Sequence, residues 1–231
     1  MPAGRTKRDG PETADTAHGR RHEGILDSAL DLFADRGFHG ASVREIAQRV
    51  GVNEATLYHY FPSKAAILDA IIDQVLAERR EMLEGFVDPR ASLPTTLRRI
   101  ASGVLDRSLA PRERRIVCLM MIEGPRLAVE GRYPFLRLIG ESTRRVREMF
   151  DRLIADGKMR RIDTRLASLE FMAPIMIFAQ HQHVLGGVLE DPLDPATFVR
   201  SHVDLFARAF ALGDGRPRSG TPPRGRRKAG R

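Results

Sequence analysis

Cysteine occurs once in this 231-residue chain, tryptophan not at all, and lysine four times. The lone Cys118 excludes an intramolecular disulfide and any cluster of metal-binding thiolates, and it fits a reducing, cytoplasmic setting. Long apolar runs are missing as well. The most apolar stretch, residues 171–179, is far shorter than the ~20 residues a membrane-spanning helix needs, so no membrane partner is expected. The opening residues, MPAGRTKRDG, carry charge with no apolar segment behind them and do not read as a secretory signal. There is no G-x-S-x-G, no glycine-rich phosphate loop and no H-E-x-x-H, so the chain is not expected to be an enzyme. His181 and His183 lie two residues apart, which on a helix points them ~200° apart. Neither has an Asp, Glu or Cys four positions beyond it, so neither a metal site nor a cofactor is expected.

What is present is an ordinary apolar fraction, 42%, enough for a folded core, and a formal net charge of +8. The charge is unevenly placed. Residues 213–231, GDGRPRSGTPPRGRRKAGR, carry six Arg and one Lys against one Asp. Such a Gly/Pro/Arg stretch cannot bury enough apolar surface to offset its chain entropy and is expected to be a disordered basic tail, either solvating or phosphate-binding. Residues 1–20 are expected to form a disordered arm. Arginine outnumbers lysine 34 to 4, a bias a GC-rich coding genome produces by itself, so no single surface arginine carries weight.

The body between these ends reads as all-α, with about nine helices. Residues 21–36 place Ile25, Leu26, Ala29, Leu30 and Phe33 on one stripe, and Gly37 follows as a helix-ending glycine. Ser42 with Glu45 three residues later is a capping box that opens a second, short helix. Asn53 caps a third, 54–60. Longer helices are expected to about residue 84, over 94–109, 111–127 and 135–155. Residues 165–185 are apolar nearly all round, so one side is expected to face the core and the other a second subunit, with a kink at Pro174. Residues 195–212 form the last helix.

The informative stretch is 42–64, SVREIAQRVGVNEATLYHYFPSK. Two short helices joined by a tight turn have the geometry of a helix-turn-helix. Ala47 supplies the small residue where the helices cross, Gly51 the positive φ of the turn, and Leu57 the inward anchor of the second helix. Lys64 stands in the first turn of the following helix, where the macrodipole disfavours a cation, which suggests an anion site such as a DNA phosphate. Residues 21–64 carry a net charge of −1, so charge alone does not mark this segment.

The segment GVNEATLYHYFPSKAAIL, preceded by LFADRGFHGASVREIAQRV, resembles the DNA-binding domain of TetR-family transcriptional regulators. The match covers residues 21–68. The EGPR stretch at 123–126 and the two apolar C-terminal helices are similar to the family in weaker ways. The resemblance implies a helix-turn-helix domain over 21–64 and a ligand-binding and dimerisation domain over 65–212. It further implies a homodimer paired through helices 165–185 and 195–212, a double-stranded, palindromic operator DNA, and a small-molecule effector that releases it. By position, Arg44 and Glu54 would reach base edges, while Ser42, Thr56, Tyr58, His59, Tyr60 and Lys64 would meet phosphates or the groove wall. Arg44 is a natural guanine reader, or else a solvated charge. Glu54 departs from the neutral residues often seen there, and an acid repels phosphate unless it accepts from a cytosine amine. Tyr60 is either groove wall or partly core.

In the larger domain, soft and apolar side chains crowd the middle helices. Cys118, Met121, Phe171, Met172 and Phe178 are candidates for an apolar effector pocket, as are Met120 and Met176, with Glu123 and Arg126 as polar anchors. Ordinary core packing and a simple Glu123–Arg126 ion pair are the alternatives. A protein of the same fold that binds DNA without an inducer, acting through a protein partner, is the alternative function.

Overall fold

The computed structural model describes residues 14–86 and 88–212, which form ten helices and no strand. In order these are α1 (Ala14–Gly40), α2 (Val43–Val50), α3 (Glu54–Tyr60), α4 (Lys64–Glu84), α5 (Leu93–Leu109), α6 (Pro111–Val129), α7 (Pro134–Ala155), α8 (Thr164–His183), α9 (Gly187–Glu190) and α10 (Pro195–Phe210). Their starts are set locally. Ser42, Asn53, Ser63, Ser92, Asp163 and Asp194 each turn a side-chain oxygen onto a first-turn amide of the helix that follows, satisfying donors that have no partner within the helix.

Four differences from the sequence expectations have physical causes. Helix α1 starts at Ala14, so residues 14–20, expected within a disordered arm, are helical; His18 stacks on Tyr60 with ring centroids 4.5 Å apart, which ties this extension to α3. The expected tail at 213–231 and the first part of the arm lie outside the described residues. Helix α8 is one helix with Pro174 inside it, beginning one residue before Arg165 and ending two before Leu185. A single-turn helix, α9, stands between α8 and α10; buried Gln182 holds that connection by bonding Asp191 O and Leu193 N, each at 3.1 Å. Finally, α10 ends at Phe210, and Ala211, just before Leu212, makes an isolated antiparallel bridge with Met159.

Two cores divide the chain. The first joins Ile25, Leu30, Phe33, Ile46 and Leu57 to Ile67, Ile71 and Val75 of α4, to Ile116, Leu119 and Leu127 of α6 and to the start of α7. The expected boundary after residue 64 therefore cuts through a continuous apolar cluster, because Phe61 and Ile67 belong to the same core. The second core joins α5, the far half of α7, α8 and α10 around Phe150, Phe171 and Phe206. Helices α4 and α7 contribute to both.

Candidate functional site

Helices α2 and α3 form the expected helix-turn-helix. Ser42 Oγ accepts from Glu45 N at 3.2 Å while Glu45 Oε2 accepts from Ser42 N at 2.9 Å, a complete capping box. The Ser42 hydroxyl, donating to Glu45 Oε2 at 2.8 Å, and then the Ser42 amide hold the Glu45 carboxyl below the usual carboxylate range. Gly51 adopts φ 75°, ψ 33°, the left-handed conformation the turn requires. Ala47 and Leu57 are buried at the helix crossing.

The opposite face of this unit is open. Arg44, Glu54, Tyr58 and His59 are exposed, and Thr56 is half-buried. Arg44, Tyr58 and His59 make no intrachain hydrogen bond or ion pair among the described residues, whereas Arg36 and Arg49 are tied to Glu45 and Asp35. Tyr60 is half-buried against His18, so it packs.

Lys64 is accounted for differently from its sequence reading. Its ammonium donates to Ala41 O at 2.9 Å and lies 4.6 Å from the centre of the Phe38 ring. The cation that looks misplaced at the N-terminus of α4 thus faces the carbonyls of Ala41 and His39, in the single turn that follows the break of α1 at Gly37 (φ 76°, ψ 161°). Burial lowers its pKa, and Glu123 and Glu130 oppose that shift.

Glu123, expected as an effector anchor, belongs to this junction instead. It is 1% exposed and lies 2.6 Å from His39 Nδ1, while Glu130 Oε1 lies 2.7 Å from His39 Nε2. A neutral imidazole has one N–H, and carboxylates only accept, so satisfying both contacts requires the imidazolium. The two hydrogen bonds accordingly raise the His39 pKa above 6.5, Glu123 contributing most. Gly37 makes the close approach possible: its φ of +76° suits glycine, and a Cβ there would stand 2.3 Å from Glu123 Oε1. The expected Glu123–Arg126 ion pair is present at 3.5 Å.

A cavity of about 220 Å³ lies between α4, α5, α6, α7 and α8, walled chiefly by Met82, Leu83, Val104, Met120, Met172 and Met176. One polar cluster interrupts the wall. Glu113, 3% exposed, is paired with Arg79 of α4 and lies 3.5 Å from Arg107 Nε of α5. Arg79 also donates to Ser142 Oγ at 3.0 Å. Burial, and then repulsion from Arg107, push the Arg79 guanidinium down to about 10.

Of the residues expected to bind an effector, Met120, Met172 and Met176 line this cavity; Cys118, Met121, Glu123, Arg126, Phe171 and Phe178 do not. Phe171 faces the opposite side of α8, edge-on to Phe206 at 4.9 Å, and Phe178 stacks on Phe198 at 4.2 Å. Cys118 is half-buried and Met121 is 46% exposed. The cavity residues missed include the polar cluster Arg79, Arg107, Glu113 and Ser142. A signal for two of them was present. Arg79 falls in the apolar register of Val75 and Met82, and Glu113 in that of Ile116, Val117 and Met120, so each had to be buried with a partner. Among the described residues, no group of three His, Cys, Asp or Glu could hold a metal ion, and no helix is long and apolar enough to cross a membrane.

A capped helix-turn-helix packed on a larger helical region that bears an apolar cavity points to a class, the DNA-binding transcriptional regulators. Residues 25–71 match the family described as "Bacterial regulatory proteins, tetR family", and residues 95–212, half of the chain, match "AefR-like transcriptional repressor, C-terminal domain". The chain belongs to the TetR family of transcriptional regulators, a family of regulators and not of enzymes. It is similar to the HTH-type transcriptional regulator RutR of Escherichia coli (32% identity over 110 residues, 48% of this chain and 52% of that protein). It also resembles the regulator UidR of Escherichia coli (36% over 108 residues, 44% and 50%). The chain thus spans about half the length of the curated relatives it matches. Among solved structures, a TetR-family regulator from Mesorhizobium loti superposes with a TM-score of 0.71 at 18% identity, covering 87% of this chain and 100% of that one. FadR of Bacillus subtilis, solved in complex with stearoyl-CoA, gives 0.64 at 19% identity, covering 80% and 97%. At these identities the likeness concerns the fold.

Proposed function

We infer that this protein is a homodimeric repressor that reads a palindromic operator with α3 and leaves it when a small, largely apolar molecule enters the α4–α8 cavity. The observation that carries this reading is the open face of the capped helix-turn-helix, with Arg44, Tyr58 and His59 free of intrachain polar partners beside exposed Glu54. In this reading Arg44 and Glu54 meet base edges, and Thr56, Tyr58 and His59 meet the backbone. Lys64, which donates to Ala41 O and His39 O, has a third N–H left for a phosphate. Ser42, whose hydroxyl and amide both donate to Glu45 Oε2, holds the start of α2 in place and meets DNA only through that cap. Tyr60 forms the groove wall it shares with His18. Exposed Leu166, Leu169, Ala173 and Ile177 follow one stripe of α8, and Leu205 is exposed on α10. An apolar stripe of this kind supports pairing of α8 and α10 with a second copy. The cavity favours an inducible regulator over a DNA-bound protein without an effector.

Operator binding measured on single-base variants of the upstream DNA tests this. Arg44→Ala is expected to cost about 1–3 kcal/mol and to relax preference at one base pair per half-site. Tyr58→Phe is expected to weaken all sequences about equally. Unchanged preference at every position in Arg44→Ala refutes the base-reading role.

A further inference from the structure

The chemistry of the effector is written in the cavity wall, and the following rests on the cavity being the effector site. Apart from its charged cluster the wall is mainly methionine and aliphatic, with Ser108, Thr143 and Gln180 among them, which takes an apolar chain of adaptable shape. The cluster itself is unbalanced. Two guanidiniums and one carboxylate, Arg79, Arg107 and Glu113, line the cavity. Behind them Glu78 is shared between Arg107 and Arg112, and Arg112 reaches Asp27, whose side chain is 65% exposed on the outer surface, at 3.5 Å. Arg112 is thus neutralised away from the cavity by Glu78 and Asp27, and at the wall itself two arginines, Arg79 and Arg107, face one carboxylate, Glu113, with Glu78 behind Arg107.

Arg79 has donors to spare. Its hydrogen bonds go from Nη1 to Ser142 and from Nη2 to Glu113, two of the five N–H groups of a guanidinium. Ser142 does not compete for them, since its own hydroxyl donates to Leu138 O at 2.8 Å. A cationic ligand head would meet two arginines, and a neutral head could use the spare Arg79 donors only for weaker, uncharged hydrogen bonds. A planar monoanion matches both the charge and the fork geometry.

We propose that the effector is a monoanionic amphiphile, a carboxylate on a short or medium-length apolar chain, whose head group engages Arg79 and Arg107 in competition with Glu113. The chain lies along Met82, Val104, Met172 and Met176. A cavity of about 220 Å³ equals on the order of seven water volumes of liquid at ~30 Å³ each, which suits a molecule the size of octanoate.

The test is calorimetric titration of the full chain with octanoate, 1-octanol and octylamine. Octanoate is expected to bind at least about tenfold more tightly than octanol, the equivalent of one charge-assisted hydrogen bond, and octylamine more weakly than either. Glu113→Gln removes the competing carboxylate at constant shape and is expected to tighten octanoate binding while leaving octanol unchanged, a gain that misfolding cannot imitate. The double variant Arg79→Met, Glu113→Met is expected to lose the preference for octanoate and keep octanol. Octanol binding as tight as octanoate, weaker octanoate binding in Glu113→Gln, or no binding by any of the three overturns the proposal. Ser108→Leu, which fills the cavity, separates this from the broader reading. Octanol binding that Ser108→Leu blocks keeps the cavity and discards the carboxylate, whereas binding indifferent to Ser108→Leu discards both.

Discussion

The two buried glutamates of α6 make an instructive pair. Glu113 and Glu123 are ten residues apart, ~15 Å along the helix axis, and both are nearly inaccessible. Glu113, at the cavity end, is neutralised by arginines of α4 and α5, which stay charged at any physiological pH. Glu123, at the DNA-domain end, is neutralised by His39 of α1, which titrates. One helix therefore carries one buried carboxylate held by groups that keep their charge and one held chiefly by a group that titrates, with Arg126 beside it at 3.5 Å. Between them Arg115 reaches Asp31 of α1 at 2.6 Å, so α6 is also pinned to the DNA-binding unit along its length.

The sharpest way to break this contrast is to remove one carboxylate at a time. Glu113→Ala leaves Arg79 charged and largely buried, and denaturant unfolding should show a loss of about 3–5 kcal/mol. Replacing Arg79 and Glu113 together by Met should recover most of it, since no lone charge remains. A loss below about 1 kcal/mol in Glu113→Ala would show that Glu113 is dispensable to its arginines. At the other end Gly37→Ala forces a side chain into a glycine-only conformation and against the Glu123 carboxylate, with an expected cost of about 1–3 kcal/mol by the same measurement. Ser42→Ala, a control away from both ends of α6, should cost about 1 kcal/mol through loss of the α2 cap.

The smallest effect is the pH dependence. The folded-state pKa of His39 is raised above 6.5, so its stabilisation is fully present below pH 6.5 and is lost as pH rises through the raised value. His39 is partly exposed, which keeps the change below about 1 kcal/mol. His39→Gln should abolish that part of the slope above pH 6.5, while Glu113→Gln should leave it in place. An unaltered slope in His39→Gln would assign the titration to another group.

The same contrast explains what was legible beforehand. The Ser42–Glu45 capping box, the Asn53 cap, the Gly51 turn and the Ala47–Leu57 crossing each depend on residues within a few positions, and each is where the sequence placed it. Lys64 was correctly noticed as out of place, but its partners are the carbonyls of Ala41 and His39, more than twenty residues upstream. For the cavity, residue type found Met120, Met172 and Met176 but did not separate them from core residues of similar type. Phe171 and Met172 are neighbours in sequence, yet ~100° of helical rotation sends one into the Phe150–Phe206 core and the other into the cavity. Arg79, Glu113 and Glu123 sit in apolar registers, which demands a buried partner without naming it.

By itself, then, the sequence determined the all-α architecture, the helix-turn-helix and the helix ends that build it, because caps, turns and periodicity act within a turn or two of chain. The tertiary structure decided which charges meet. It set Arg79 and Arg107 around Glu113 and His39 against Glu123, because a buried charge must find its counter-charge wherever packing brings another helix, and sequence spacing does not record that distance.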